Sequence, residues 1–269
     1  MTSSHTARTD IRGDTMAAVE PIRPCNAAGF DASSDDVFGR IAARYDIMCD
    51  LFSLGIHRLW KRRVAELIVR EPWNELLDVA SGTGDIVLRV LDRQETHHSR
   101  HVMASDISRQ MLSVAERRLA RLRHTVELRC QDAHSLSGVA ANSVDLYSVS
   151  LGLKICDRSV VLREALRVLR PGGRLVILEA SNIPFRWLQT AYLRYMSMCM
   201  PVIGWIATGG DASAYRYLLQ GVREFPTAER LAAELRHIGF HEVAFERLSL
   251  GIVAIHVARK PVQVTSRPA

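Results

Sequence analysis

Two carboxylates flank a glycine-rich turn in the segment LLDVASGTGDIVLRV. Asp78 precedes the turn, Asp85 follows it, and Gly82 and Gly84 let the backbone approach a ligand closely. A phosphate-binding loop would need the pattern G-x-x-x-x-G-K-[ST], and a dinucleotide fingerprint would need a small residue where Val87 stands. The two carboxylates favour a cationic ligand over pyrophosphate.

Acidic residues also follow the next two predicted strands. Asp106 ends the segment VMASD, 22 residues after Gly84, where a carboxylate can bind both hydroxyls of a ribose. Asp132 follows the third strand in RCQDA, where its carboxylate or the adjacent backbone can meet an adenine amino group. A single glycine pair or one acidic helix cap is weak evidence. Their recurrence after three successive strands predicts S-adenosylmethionine, which carries a sulfonium and an ammonium.

The elements that position these residues follow an α/β pattern. From residue 75 onward, apolar strand-like runs alternate with helical patterns, which is typical of βαβ units in a parallel sheet. Pro171 with Gly172 and Gly173 predicts a helix end and a sharp return into the next strand. The segments HEVAFERLS and GIVAIHVA predict a C-terminal antiparallel hairpin. We therefore predict a doubly wound, mostly parallel, Rossmann-like sheet with ligands beyond the carboxyl ends of its strands.

Length and composition indicate one globular domain. The 269 residues are 48% hydrophobic, which is enough for a full core. We predict a domain over residues 35–260, a helical cap inserted at 181–226, and tails at 1–34 and 261–269. No apolar run approaches the roughly 18 residues that cross a bilayer, and five scattered cysteines without a C-x-x-C pair argue against disulfides and zinc. These features predict a soluble chain in a reducing cytosol.

The net charge of +6 does not by itself identify a partner. The chain has no zinc-finger spacing and no paired aromatics of an RNA-binding sheet, so nucleic acid is not a predicted partner. In GIHRLWKRR, Trp60 lies among four cations, namely Arg58, Lys61, Arg62 and Arg63. This segment is either an amphipathic lip for peripheral membrane contact or a solvated helix with Trp60 packed inward, and we favour the helix.

Four segments of the chain resemble the C-methyltransferase family of ubiquinone and menaquinone biosynthesis, within the class I S-adenosylmethionine-dependent methyltransferases. These segments are VFGRIAARYDIMCDLFSLGIHRLWKR, LLDVASGTGD, VLRPGGRLVILE and ASAYRYLLQGVREFP. The first is the most specific, because ordinary methyltransferases share the glycine turn but not this segment. Beside Asp78, Gly82 and Gly84, the resemblance implies cofactor contacts at Thr83, Asp106, Asp132, Ala133 and Ser150.

The departures from the family pattern lie on the acceptor side. After the fourth strand the family usually reads Phe-Gly-Ile/Leu-Arg-Asn, whereas this chain reads Leu-Gly-Leu-Lys-Ile and ends in Lys154 and Ile155. A planar cation with five donors has become a point-charge amine, and an amide has become an aliphatic side chain. Gly221 stands where the family commonly carries serine. These changes concern the choice of acceptor and leave methyl transfer intact.

Methyl transfer is an in-line displacement that mainly requires alignment of the two reactants and exclusion of water. A dihydroxylated ring as acceptor would also need a group that favours the phenolate. His57 is the candidate base, with Tyr45, Lys154 and Tyr217 as polar partners. The alternatives are a structural role for His57 near Trp60, and a lid or a packed aromatic at Tyr45.

Three functions stay open at this point. The resemblance favours C-methylation of a polyprenyl quinol ring. Lys154 and Ile155 favour methylation of a double bond in a prenyl diphosphate, with or without cyclisation, because an alkene needs no phenol base and an apolar wall tolerates a carbocation. The third is a non-catalytic scaffold that binds the cofactor. In the first two the acceptor is a lipophilic small molecule.

Overall fold

The computed structural model describes residues 39–93, 100–120, 122, 126–208 and 213–262. The predicted tails lie outside this set, except for residues 261 and 262. After a 3-10 helix at Gly39–Arg44, the α-helices are α1 Tyr45–Ser53, α2 His57–Val69, α3 Asp85–Leu91, α4 Arg109–Leu119, α5 Arg158–Val168, α6 Arg186–Thr208, α7 Ser213–Glu224 and α8 Ala228–Ile238. The strands are β1 Glu75–Val79, β2 His101–Asp106, β3 Val126–Cys130, β4 Val144–Ser150, β5 Leu169–Ala180, β6 His241–Leu248 and β7 Val253–Arg259.

The strands form one sheet in the order β3-β2-β1-β4-β5-β7-β6. Strands β1 to β5 run parallel, and β7 pairs antiparallel with both β5 and β6. The predicted mostly parallel sheet with an antiparallel C-terminal hairpin is confirmed. Parallel strands place their carboxyl ends at one edge, so the segments after β1, β2, β3 and β4 meet there.

Both faces of the sheet are covered by helices. Leu76 and Leu146 belong to one core, which also contains buried residues of α2, α3 and α4. Leu77 and Tyr147 belong to the opposite core, with buried residues of α5 and α8. Because neighbouring residues of a strand face opposite sides, burial on both sides requires near-continuous apolar strands, as the sequence has. The doubly wound arrangement is confirmed.

The segment around Pro171 differs from the prediction. Helix α5 ends at Val168 and β5 begins at once at Leu169, so Pro171 lies within the strand as an irregularity in its pairing with β4. Gly172 adopts a φ of +79°, and a Cβ on Gly173 would lie 2.8 Å from a backbone carbonyl oxygen. The predicted helix end before Pro171 is confirmed, but the glycines permit a bulge inside β5 in place of the predicted turn before the strand.

The predicted cap region contains α6 and α7. Helix α6 packs against α1 and α7, and α7 packs against the 3-10 turn Leu153–Ile155 that follows β4. The cap therefore contacts the carboxyl edge of the sheet. Within the described part of the chain, no helix is both long and apolar enough to cross a membrane.

Candidate active site

The two glycines of the turn between β1 and α3 have different structural roles. Both adopt left-handed backbone, with φ of +55° at Gly82 and +75° at Gly84. A Cβ on Gly84 would lie 3.2 Å from the Ala115 Cβ on α4, whereas a Cβ on Gly82 would meet no atom within 4 Å. Gly84 thus allows close helix packing, and Gly82 exposes its backbone to open space where a ligand can approach.

Five of the predicted site residues line one pocket above this turn, namely Tyr45, Asp78, Gly82, Thr83 and Ser150. They come from α1, β1, the glycine turn and the end of β4. The topology therefore joins segments that are more than 100 residues apart in the chain.

Three buried oxygens at this pocket have no hydrogen-bond partner among the described residues. They belong to Asp78 (Oδ2), Ser81 (Oγ) and Ser150 (Oγ). Asp78 is 1% exposed, its Oδ1 accepts a hydrogen bond from the Ser148 hydroxyl, and burial raises its pKa to about 7. Buried polar atoms are normally paired. The pocket therefore fits a ligand with hydrogen-bond donors and positive charge, as S-adenosylmethionine has.

Asp106 fixes the glycine turn from the neighbouring strand. Its carboxylate accepts hydrogen bonds from the backbone N–H of Gly82 at 2.8 Å and of Ser108 at 2.9 Å. Ser108 in turn caps α4 through its hydroxyl. The residue assigned to the ribose from the sequence therefore also holds the loop on which the cofactor would lie.

Asp132 lies at the same edge, outside the lining of this pocket. The backbone N–H of Gln131 donates to the Asp106 carbonyl at 2.9 Å, which places the end of β3 beside that of β2. His134 Nε2 accepts the N–H of Asp157 at 2.8 Å, so Nδ1 carries the proton and donates to Asp132 at 2.6 Å. Ala133 is buried in the core. His134, which sequence reasoning missed, therefore orients Asp132.

Lys61 is buried, so its assignment to an exposed basic segment is wrong. It is 7% exposed, and its Nζ lies 3.1 Å from Asp85 Oδ2 at the pocket wall. Burial disfavours the charged form of Asp85, but Lys61, Arg89 and Arg118 overcome it and lower the pKa to about 2. The sequence did contain the signal, because helical spacing places Lys61 on the buried face of α2 with Val64, Ala65 and Ile68.

Trp60 packs inward, which agrees with the solvated-helix interpretation of this segment. Its Nε1 donates to the Ser249 hydroxyl at 2.8 Å, and its ring packs on the core. Arg63 pairs with Glu246 at 2.7 Å. Trp60 and Lys61 both face the protein, so neither side chain is available to the alternative membrane lip.

An ionic network ties α1 to the glycine turn. Asp46 accepts hydrogen bonds from the Thr83 hydroxyl at 3.0 Å and from Arg118 of α4 at 2.6 Å. Arg118 also contacts Asp85 at 3.2 Å. Sequence reasoning missed Arg118.

Tyr45 precedes Asp46 in α1. Its interaction with Cys49, together with burial, raises the pKa of Tyr45 well above its usual value, so the phenol is neutral at physiological pH.

His57 lies one helical turn before Lys61 and does not line the pocket. Its Nδ1 is 2.8 Å from the Ser53 hydroxyl, which itself lies 2.7 Å from the Cys49 carbonyl. If the single hydroxyl proton goes to that carbonyl, Nδ1 donates to Ser53 and Nε2 is left as an acceptor. Burial, together with the charge of Lys61, lowers the pKa of His57 to about 4. The ring is therefore neutral near pH 7.

Lys154 is neutralised inside the protein. Its Nζ lies 3.2 Å from Glu179 Oε1 and also donates to the Leu151 carbonyl, and both charged side chains are buried. A Cβ on Gly221 of α7 would lie 3.0 Å from the Lys154 carbonyl oxygen. Tyr217 belongs to α7, but its side chain lies outside the described residues. The structure therefore does not bring Lys154 and His57 together with the five pocket residues.

Comparisons with known proteins agree with this geometry. A family model described as the ubiE/COQ5 methyltransferase family matches residues 29–260. The ubiquinone/menaquinone biosynthesis C-methyltransferase UbiE of Cereibacter sphaeroides is 40% identical over 223 residues, which cover 82% of this chain and 87% of the relative. The mitochondrial 2-methoxy-6-polyprenyl-1,4-benzoquinol methylase of Drosophila melanogaster is 38% identical over 235 residues, 82% of this chain and 77% of the relative.

A solved structure supports the fold. The SAM-dependent methyltransferase of Thermotoga maritima superposes with a TM-score of 0.59 at 16% identity, over 84% of this chain and 98% of that chain. The sheet order, the glycine turn and the family match agree. The chain belongs to the ubiE/COQ5 methyltransferase family and is an S-adenosylmethionine-dependent C-methyltransferase.

Proposed function

We propose that the acceptor is the ring of a polyprenyl quinol, methylated at carbon. The observation that carries this proposal is the similarity to relatives named for quinone-ring methylation over most of both chains. The non-catalytic scaffold is set aside, because the chain belongs to a family of methyltransferases.

In this proposal, different residues bind different parts of the cofactor. S-adenosylmethionine supplies the methyl group when it is bound. Asp78 would hold its ammonium, since the unpaired Oδ2 is buried at the pocket. Asp106 and Asp132 would hold the ribose and the adenine from the ends of β2 and β3. Gly82 would offer its exposed backbone to the amino acid part of the ligand.

His57 would not act as the base in this reaction, because its ring is buried and does not line the pocket. A pKa of about 4 makes the imidazole a weak base toward a phenol, whose pKa is near 10. Tyr45, neutral and at the pocket, would order the acceptor above the cofactor.

A second candidate is methylation of a double bond in a prenyl diphosphate. The observation that favours it is the Lys154–Glu179 pair, which leaves the lysine charge neutralised, with Ile155 where the family carries an amide. An alkene acceptor has no hydroxyl proton to remove. An apolar wall without a competing nucleophile would also protect the carbocation formed by methylation.

One incubation separates the two candidates. Purified enzyme receives labelled S-adenosylmethionine with a short-tailed demethylated quinol and, separately, with farnesyl diphosphate, and the products are weighed by mass spectrometry. Label in the quinol alone supports the proposal, and label in the diphosphate alone contradicts it. The double change Lys154→Arg with Ile155→Asn restores the family pattern and should raise quinol methylation, whereas Arg158→Lys, on α5 and paired with Glu234, serves as control.

A lipophilic acceptor also has a consequence for where the enzyme works in the cell. We propose a cytoplasmic enzyme that works at a membrane surface, where a polyprenyl tail is held. Trp60 and Lys61 would not take part in this contact, because both side chains face inward.

A further inference from the structure

Exposed apolar side chains are concentrated on two helical segments. Ten of the twelve large hydrophobic residues exposed in the described part of the chain lie within 47–59 or 185–202. Scattered exposed apolar residues are ordinary on a protein surface, but clustered ones mark an interaction site. This clustering of exposed apolar side chains therefore indicates a surface that binds another molecule.

The exposed residues of α6 form one stripe. Trp187, Tyr195, Met198 and Val202 recur at helical spacing, and Trp187 and Met198 are 73% and 67% exposed. Helix α1 carries a similar stripe of Ile47 and Leu51 that continues to its end at Leu54, which is 78% exposed. The two helices pack against each other. Two neighbouring helices thus each present an apolar face to solvent.

Positive charge accompanies these stripes. Helix α6 contains two arginines, Arg186 and Arg194, and no acidic residue. Both are exposed, and among the described residues no carboxylate lies within salt-bridge distance of either. The two carboxylates of α1 are already paired, Asp46 with Arg118 and Asp50 with Arg58. Within the described residues, the surface is therefore apolar and carries two arginines that no carboxylate pairs.

We propose that the α1 and α6 stripes form the surface by which this enzyme docks on an anionic lipid bilayer. Apolar and aromatic side chains insert at the boundary between headgroups and acyl chains, while arginines attract the anionic headgroups. A symmetric contact between two copies through these stripes would bury Arg186 and Arg194 in an interface to which α6 contributes no acidic residue. The charge pattern matches a lipid surface.

The surface adjoins the active site. Tyr45, in the first turn of α1, lines the pocket, and Asp46 is bonded to Thr83 of the glycine turn. An acceptor with a lipid tail would then reach the pocket from the bilayer without crossing water. The inference rests on the proposed lipophilic acceptor.

The test measures vesicle binding of the full-length protein without any acceptor, so that its failure leaves the acceptor assignment untouched. Vesicles contain phosphatidylcholine alone or with one quarter phosphatidylglycerol. We expect binding to the anionic vesicles that weakens as salt rises, because headgroup attraction is screened. The double variant Trp187→Gln with Met198→Gln should lower the partition coefficient at least about tenfold. Reversal of Arg186 and Arg194 to Glu should remove the preference for anionic vesicles, with a loss of roughly fivefold or more per arginine.

The matched control is Val262→Gln, an apolar residue that is 63% exposed and lies beyond β7 near Gly172, away from the cofactor edge. It should bind vesicles like the parent. Brominated lipids should quench tryptophan fluorescence in the parent and less in Trp187→Phe. Cofactor affinity and methylation of a short-tailed, soluble acceptor report separately on fold and function, and neither should change in the α6 variants.

Three results overturn the proposal. The first is parental vesicle binding by the α6 double variant. The second is equal loss of binding in Val262→Gln. The third is a parent that is dimeric by sedimentation velocity and becomes monomeric in the α6 variant while vesicle binding persists, since the surface is then an interface between copies.

Discussion

The glycine-turn pocket and the loop after β4 both bury polar side chains, but the pocket leaves some of their oxygens unpaired, whereas the loop pairs its buried lysine. At the pocket, Asp78 and Ser150 keep buried oxygens without a partner among the described residues. At the loop, Lys154 and Glu179 satisfy each other. An unpaired buried polar atom costs about 1 to 3 kcal/mol, which a ligand can recover. The unpaired oxygens at the pocket are therefore available to a polar ligand, whereas the Lys154 charge is already paired.

The largest expected effect tests whether charge at the pocket is as deeply buried as the structure shows. Asp85→Asn leaves the Lys61 ammonium buried without its nearest counter-charge and should lower the free energy of unfolding by about 3 to 5 kcal/mol. Urea denaturation measures this loss. Glu66→Gln, at an exposed ion pair of α2, should change stability by no more than about 0.5 kcal/mol. Equal stability of the two variants would contradict a buried pair.

The low pKa of Asp85 also makes the stability of the fold depend on pH in acid. The pKa of Asp85 in the folded chain is about 2, below its usual value near 4. Its ionised form therefore stabilises the fold fully above pH 4, and this contribution disappears as pH falls through 2. Denaturation curves from pH 5 to pH 2 should show a steeper loss in the parent than in Asp85→Asn.

The second prediction separates the two regions by cofactor affinity. Asp106→Ala should weaken S-adenosylmethionine binding by about 1.5 to 3 kcal/mol, the range for charge-assisted hydrogen bonds. Calorimetry measures the affinity, and Asp106→Asn, which can still accept the Gly82 N–H, shows how much of the loss comes from the loosened turn. Glu179→Gln should destabilise the fold yet leave the affinity unchanged. A similar loss of affinity in Glu179→Gln would erase the distinction between the regions.

The third prediction concerns the proton that the Asp78 carboxyl group releases when the cofactor binds. Burial holds the pKa of Asp78 at about 7 without a ligand, and a bound cation would lower it. Cofactor binding at pH 7 should therefore release about half a proton, and affinity should rise with pH up to about 7 and level off above it. Calorimetry in two buffers of different ionisation enthalpy counts the proton. Release that persists in Asp78→Asn would assign it to another group.

The smallest effect is expected where α7 packs on the loop after β4. Gly221→Ser would place a Cβ 3.0 Å from the Lys154 carbonyl oxygen, so α7 must shift slightly. Overpacking costs about 1 kcal/mol or more, and the better helix propensity of serine offsets part of it. We expect stability within about 1 kcal/mol of the parent, a few-fold change in KM for the acceptor, and unchanged cofactor affinity. A change confined to cofactor affinity would show that α7 acts on the other region.

Local sequence determined much of the cofactor side. The Gly82–Gly84 turn, the carboxylates at the ends of β1 and β2, and the order of elements follow from apolar periodicity and from backbone freedom at glycine. These signals are local, because a strand, its turn and the next helix are adjacent in the chain. The doubly wound sheet and its C-terminal hairpin were predicted for the same reason.

Only the tertiary structure decided which charges face each other. Arg118 and Asp46 are 72 residues apart, and Lys154 and Glu179 are 25 apart, so no local pattern pairs them. Helical spacing placed Lys61 on the buried face of α2, but its partner Asp85 comes from another element. The sequence by itself determined where the cofactor turn lies, since that depends on neighbouring residues. The folded chain decided that Lys154 is neutralised and that α1 and α6 leave apolar faces uncovered, because burial and charge pairing depend on residues distant in sequence.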